Sequence, residues 1–125
     1  MIEQSGNSVD PTTFDVGKHQ VDDAVVLTVS GEVDMLSAPQ LAEAIRAAQA
    51  AGPAALVIDL TKVDFLASAG MTVLVTAQAE VTPPTRFAVV ANGSATSRPI
   101  KLMGLDNVLA LYSTLDSALS RIGDG

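Results

Sequence analysis

Ser68, Asp59, the pair Glu32 and Asp34, and the lone His19 are the side chains of this sequence whose types and positions suit chemistry. Ser68 stands in "DFLASAGMTVLV", after a polar link and at the start of a helical pattern, with Ala67 and Ala69 on either side and Gly70 next. A serine at a helix entrance ordinarily caps it, its hydroxyl accepting a backbone N–H that has no partner inside the helix. Two further properties fit this position. Ala67, Ala69 and Gly70 are small enough for another protein's backbone to come close, and the partial positive charge of a helix start accommodates a phosphate. Acyl transfer would have to pair Ser68 with His19, and the G-x-S-x-G elbow that such chemistry uses is missing. His19 falls in an irregular strand, where one imidazole makes no metal site, and it reads as a surface histidine.

The remaining enzyme chemistries also lack their parts. A phosphate-cradling P-loop needs a second glycine and a lysine that "ASAGMT" does not have, and no G-x-G-x-x-G run opens any helix. Asp59 sits near the end of an apolar strand, the place of the phosphoacceptor aspartate in receiver domains. Those domains also need an acidic pair and a lysine after the last strand. Glu32 and Asp34 supply the pair, but "NVLALYST" offers no lysine. Asp59 therefore reads as a strand-end residue that shapes the following link. No enzyme activity and no cofactor are expected.

Composition narrows the partners. The 125 residues carry 14 acidic and 7 basic side chains, a net charge of −7, which disfavours nucleic acid and anionic membranes. With no cysteine there are no disulfides and no thiol chemistry, so regulation by thiol redox is not expected. "MIEQSGNSVDPTT" has neither the basic start nor the apolar centre of a signal peptide, and no apolar run is long enough to span a bilayer. A cytoplasmic protein is expected.

The elements that must position Ser68 follow from periodicity and punctuation. Residues 1–12 are polar, with Gly, Asn and Pro, and read as a flexible tail; residues 13–125 read as one domain. Strands over 14–21 and 25–34, separated by Asp22 and Asp23, predict an antiparallel hairpin. Ser37 as N-cap and Pro39 in the first turn open a helix with Leu41, Ala44, Ile45 and Ala48 on one face, stopped by Gly52-Pro53. "AALVIDL" is a continuous apolar run, as in a strand covered on both faces. A helix from Ser68 to about Val81 has Gly70, Met71, Leu74 and Val75 at core spacing, and Pro83-Pro84 ends it. "RFAVVA" is a further strand, "SRPIKLMG" a short helix capped by Ser97, and "NVLALY" the last strand. "STLDSALSRI" is a final helix with Leu115, Ala118, Leu119 and Ile122 inward. The order ββαβαβαβα predicts an α/β domain with a mixed, mostly parallel sheet of about five strands and four helices.

Two segments carry a resemblance: "VSGEVDMLSAPQLAEAI" and "DLTKVDFLASAGMTVLV". Together they are similar to the STAS domain of bacterial anti-sigma factor antagonists. In that family a strand ending in G-E-(Leu/Val/Ile)-D precedes a helix starting Ser/Thr-Ala, and a later Phe-x-x-Ser-x-Gly segment holds a phosphorylated serine. Gly31, Glu32, Val33 and Asp34 match the first element, Ser37-Ala38 the helix start, and Phe65, Ser68 and Gly70 the second. The family's usual acid before the serine and hydroxyl after it are replaced by Ala67 and Ala69, which leaves Ser68 as the only phosphoacceptor of the loop. The resemblance implies partner switching in transcription and stress response. An unphosphorylated antagonist binds an anti-sigma factor, itself an ATP-binding serine kinase, and frees the sigma factor. Phosphorylation of Ser68 ends the contact, and a PP2C-type phosphatase restores it. A partner-binding face of Glu32, Asp34, Ala67, Ser68, Ala69, Gly70 and Met71 is expected, with alanine at either acid weakening binding and sparing stability. A STAS module serving another assembly, or sensing a small ligand, is the alternative implication.

Overall fold

The computed structural model describes residues 14–124, and the tail expected over residues 1–12 lies outside the described residues. Strands β1 (Asp15–Val21) and β2 (Ala24–Val33) form the expected hairpin. Val21 pairs with Ala24 across a two-residue turn, with Asp22 at φ 53, a left-handed conformation that a short polar side chain tolerates. Helix α1 (Ala38–Ala50) follows, and Gly52, at φ 67, terminates it by donating its N–H to the Gln49 carbonyl. The chain continues through β3 (Ala55–Leu66), α2 (Ser68–Glu80), β4 (Arg86–Val90), α3 (Ser97–Leu102), a 3-10 turn (Leu105–Asn107), β5 (Leu111–Tyr112) and α4 (Leu115–Asp124).

The five strands of the described residues lie in the sheet in chain order, β1 antiparallel to β2 and β2 to β5 mutually parallel. Same-handed crossovers that always step in one direction put their helices on one face. Accordingly α1, α2 and α3 share that face: Leu41, Ile45, Leu74 and Ile100 pack on Val25, Leu27, Leu56, Ile58 and Val89. The alternate strand residues Val26, Val57 and Val90 face the other way, where Ala118, Leu115 and Leu119 of α4 cover them. Burial on both faces explains the unbroken apolar run of β3. Each fully buried Leu or Ile contributes roughly 1.5–3 kcal/mol, so this two-sided packing dominates the stability. The expectation for Ile122 lies outside the described side chains.

Three local readings are corrected. First, β3 does not end near Leu60 but runs on to Leu66. Partners jump from Asp59 to Lys62 while β2 advances from Thr28 to Ser30, and from Val63 to Phe65 while β2 advances from Gly31 to Glu32. Two bulges thus absorb extra residues, and they break the alternation that would mark "TKVDFL" as strand. Asp59 is buried within the strand rather than at its end, and its carboxylate accepts the Thr61 N–H (3.0 Å) and hydroxyl (2.8 Å) across the first bulge. Second, the last strand shrinks to Leu111–Tyr112. Gly104, at φ 73, ends α3, and the 3-10 turn behind it carries Leu109 into the core. Third, Ser97 is the first residue of α3, and Thr96 precedes it at the N-cap position.

Candidate functional site

The carboxyl ends of the parallel strands gather on one edge of the sheet, where open α/β folds place their sites. On that edge Glu32 pairs with Phe65 and Val33 with Leu66, and the Ala67 N–H donates to the Val33 carbonyl at 2.8 Å. The turn after β2 and the entrance of α2 are therefore neighbours, as the expected face requires. Asp59 is not part of this cluster, since it pairs with Thr28 further down the sheet. His19 is exposed on β1, and no group of three His, Asp or Glu among the described residues suits a metal ion.

The turn after β2 is held by a reciprocal exchange. Asp34 accepts the backbone N–H groups of Leu36 and Ser37, each at 3.0 Å, while the Ser37 hydroxyl accepts the Asp34 N–H at 2.9 Å. That hydroxyl is directed to the Glu32 carbonyl at 2.8 Å, with Asp34 Oδ1 3.1 Å away. Ser37 occupies the N-cap position of α1, as expected, but its side chain makes no cap bond into the helix; its exchange with Asp34 follows the logic of a capping box in the turn before it. Hydrogen bonds from the Ser37 backbone, with those from its hydroxyl and from Leu36, hold the Asp34 carboxyl below the usual 3.8, against a smaller opposing effect of desolvation. Asp34 thus has a structural task, and its replacement is expected to cost stability as well as contact. The Glu32 carboxylate takes part in no hydrogen bond or ion pair among the described residues.

Ser68 differs from the ordinary capping serine. It is exposed as the first residue of α2, the N-cap is Ala67 in extended conformation (φ −81, ψ 168), and no side chain caps the helix. The Ala67 carbonyl accepts the N–H groups of Gly70 and Met71, leaving those of Ser68 and Ala69 without an acceptor among the described residues. The Ser68 hydroxyl is likewise uncommitted, while its carbonyl accepts the Thr72 hydroxyl at 3.0 Å. Gly70 does not face outward. A Cβ there would stand 2.6 Å from Val33 Cγ1 and 2.8 Å from Leu66 Cδ1, so its missing side chain lets α2 seat on the sheet. Met71 is also buried; of the residues expected around the serine, Ala67 and Ala69 are half-buried.

The sheet edge that carries Ser68 has an apolar rim, of which the sequence singled out only Phe65. Met35 and Leu36, at the tip of the β2–α1 turn, are 77% and 84% exposed, and Phe65, paired with Glu32 across the sheet, is 50% exposed. On the other side an open cleft of about 230 Å³ is lined by Ser68, Met71, Thr72, Val75, Thr76, Met103 and Leu105, with no charged side chain among them. Met103 is itself 64% exposed. Large exposed apolar side chains on the same edge as a free hydroxyl are what a protein-binding surface presents. Two apolar residues in an otherwise polar turn, "VDMLSA", were the available signal.

A model of the STAS domain matches residues 16–118. The chain is 43% identical over 116 residues to the anti-sigma-F factor antagonist RsfB of Mycobacterium tuberculosis, covering 93% of each. The crystal structure of an anti-sigma factor antagonist from Mycobacterium paratuberculosis superposes with a TM-score of 0.86 at 45% identity, covering 90% of this chain and 97% of that one. The phosphorylated form of the Bacillus cell fate determinant SpoIIAA shares the fold, with a TM-score of 0.63 at 18% identity over 88% of this chain and 99% of that one.

Proposed function

Because the chain belongs to the STAS-domain family of anti-sigma factor antagonists, non-enzymatic regulators, we propose that it binds an anti-sigma factor that is an ATP-dependent serine kinase. Binding releases the sigma factor, and phosphorylation of Ser68 switches the antagonist off. The observation that carries this reading is the uncommitted hydroxyl of the exposed Ser68, beside a cleft it shares with exposed Met103 and on the sheet edge whose apolar rim is the exposed Met35, Leu36 and Phe65. The partner contacts comprise that rim together with Glu32, Asp34, Ala67, Ser68 and Ala69, while Gly70 and Met71 support them from beneath.

The charge of the modification works in the same direction. A phosphate adds about −1.5 to −2 charge, and the Ser68 cleft holds no Lys or Arg to pair with it. The free N–H groups of Ser68 and Ala69 tolerate the phosphate locally, so the helix does not melt. Its charge then falls on the partner, as a dianion desolvated within an apolar contact. A PP2C-type phosphatase reverses the change at an exposed position. Intact mass after incubation with ATP and candidate anti-sigma kinases tests the reading. One added phosphate that is lost in Ser68→Ala supports it; phosphate retained in that variant, or no uptake from a kinase that binds the protein, contradicts it.

A further inference from the structure

Two of the seven basic side chains, Arg98 and Lys101, line one depression beside the ends of β4 and β5. It comprises two contiguous clefts of about 410 Å³ each, which share Gly93, Ser97 and Lys101. No Asp or Glu lines either one, in a chain with twice as many acids as bases. Neither cation has an ion-pair partner among the described residues. Ser97 lines both clefts at 9% exposure, and its hydroxyl has no hydrogen-bond partner among the described residues. A buried hydroxyl without a partner is costly unless something supplies one. The Asn92 side-chain amide donates to the Ser113 carbonyl at 2.8 Å, tying the loop after β4 to the loop after β5.

We infer that this depression is a binding site for the dianionic phosphate group of a small molecule, held by Arg98, Lys101 and the Ser97 hydroxyl. Two cations match a dianion in charge, and charge-assisted hydrogen bonds are the strong ones. The half-buried Tyr112 and Leu111, which line the same cleft as Lys101 and Ser97, give an esterified phosphate somewhere to lay its organic part. The site is separate from Ser68 and does not depend on the partner-switching reading. It shares one element with that site, because Met103, immediately after α3, lines the cleft beside Ser68.

The test is titration of the unmodified full chain with inorganic phosphate and, separately, glycerol 3-phosphate, at constant ionic strength held with chloride, followed by amide chemical shifts. Saturable shifts confined to Gly93, Ser97, Arg98, Lys101 and Ser113 are expected. Lys101→Ala and Arg98→Ala, at exposed positions, are each expected to raise the Kd about tenfold, while the control Lys18→Ala leaves it unchanged. Tighter binding of the ester assigns the site to a phosphorylated metabolite, and equal binding assigns it to the free ion. Shifts no larger than chloride produces, shifts spread over all the basic residues, or an unchanged Kd in the folded Lys101→Ala and Arg98→Ala variants would overturn the inference.

Discussion

Gly70→Ala sets two effects of opposite sign against each other, and the geometry decides between them. In an exposed helix interior this substitution stabilises by about 1 kcal/mol, because glycine forfeits that much helix propensity. At position 70 the new methyl would stand 2.6 Å from Val33 Cγ1, 2.8 Å from Leu66 Cδ1 and 3.3 Å from Val33 Cβ. Val33 is 0% and Leu66 4% exposed, and both belong to paired strands, so neither has space to retreat. Overpacking of this kind costs about 1–3 kcal/mol. The net expectation is a loss of about 1 kcal/mol, read as a lower urea midpoint at unchanged slope. Because α2 must lift to accept the methyl, Ser68 and Ala69 move with it, and partner affinity falls too. The clash is tested by pairing the change with Val33→Ala, which removes the nearer contact, Val33 Cγ1, and leaves that with Leu66. Gly70→Ala is expected to cost about 1 kcal/mol less in that background, a coupling of the size seen between contacting residues. A Gly70→Ala protein more stable than the parent, with no coupling to position 33, would refute the account of how α2 is seated.

Three further outcomes follow from the site. The Asp34 carboxyl lies below the ordinary 3.8 in the folded chain, so its contribution to stability is complete above that value and is lost as pH falls through the lower folded value. The stability gap between the parent and Asp34→Asn, followed by urea unfolding, is therefore expected to be constant at neutral pH and to close below about pH 4. Leu36→Ser removes a side chain that is 84% exposed; partner affinity measured by calorimetry is expected to fall about tenfold while stability stays within about 0.5 kcal/mol. With no cysteine in the chain, a mild thiol reductant is expected to leave partner affinity unchanged, and a reversible change in the antagonist alone would contradict that.

Much of the architecture was legible because its signals are local. Gly52-Pro53 and Pro83-Pro84 punctuate the helices, and the apolar run of residues 54–60 announces a strand covered on both faces. What escaped was set by partners far away in sequence. The inward role of Gly70 depends on Val33, 37 positions earlier and on another strand, and nothing in "ASAGM" says which face the glycine takes. The second half of β3 was hidden because two bulges disrupt its alternation. Ser37 stands at the N-cap of α1 as its type suggests, but the residue type does not reveal that its hydroxyl bonds Asp34 three residues earlier instead of the helix. Ser68 was correctly placed at a helix entrance beside the turn after β2. That it caps nothing could be learned only from the backbone, which puts Ala67 at the N-cap.

The affinities of Ser68→Ala and Ser68→Glu for one anti-sigma factor kinase, measured beside the parent, test the central claim most directly. Since the Ser68 hydroxyl makes no cap bond, both variants are expected to melt within about 0.5 kcal/mol of the parent. Ser68→Ala is expected to bind as the parent does and to stay active, having no acceptor for phosphate. Ser68→Glu, an imperfect mimic with less charge than phosphate, is expected to bind at least about tenfold more weakly. A capping role alone predicts the opposite order, with Ala the damaged variant and an acid tolerated at a helix start. If Ser68→Glu binds as tightly as the parent, Ser68 is not the switch.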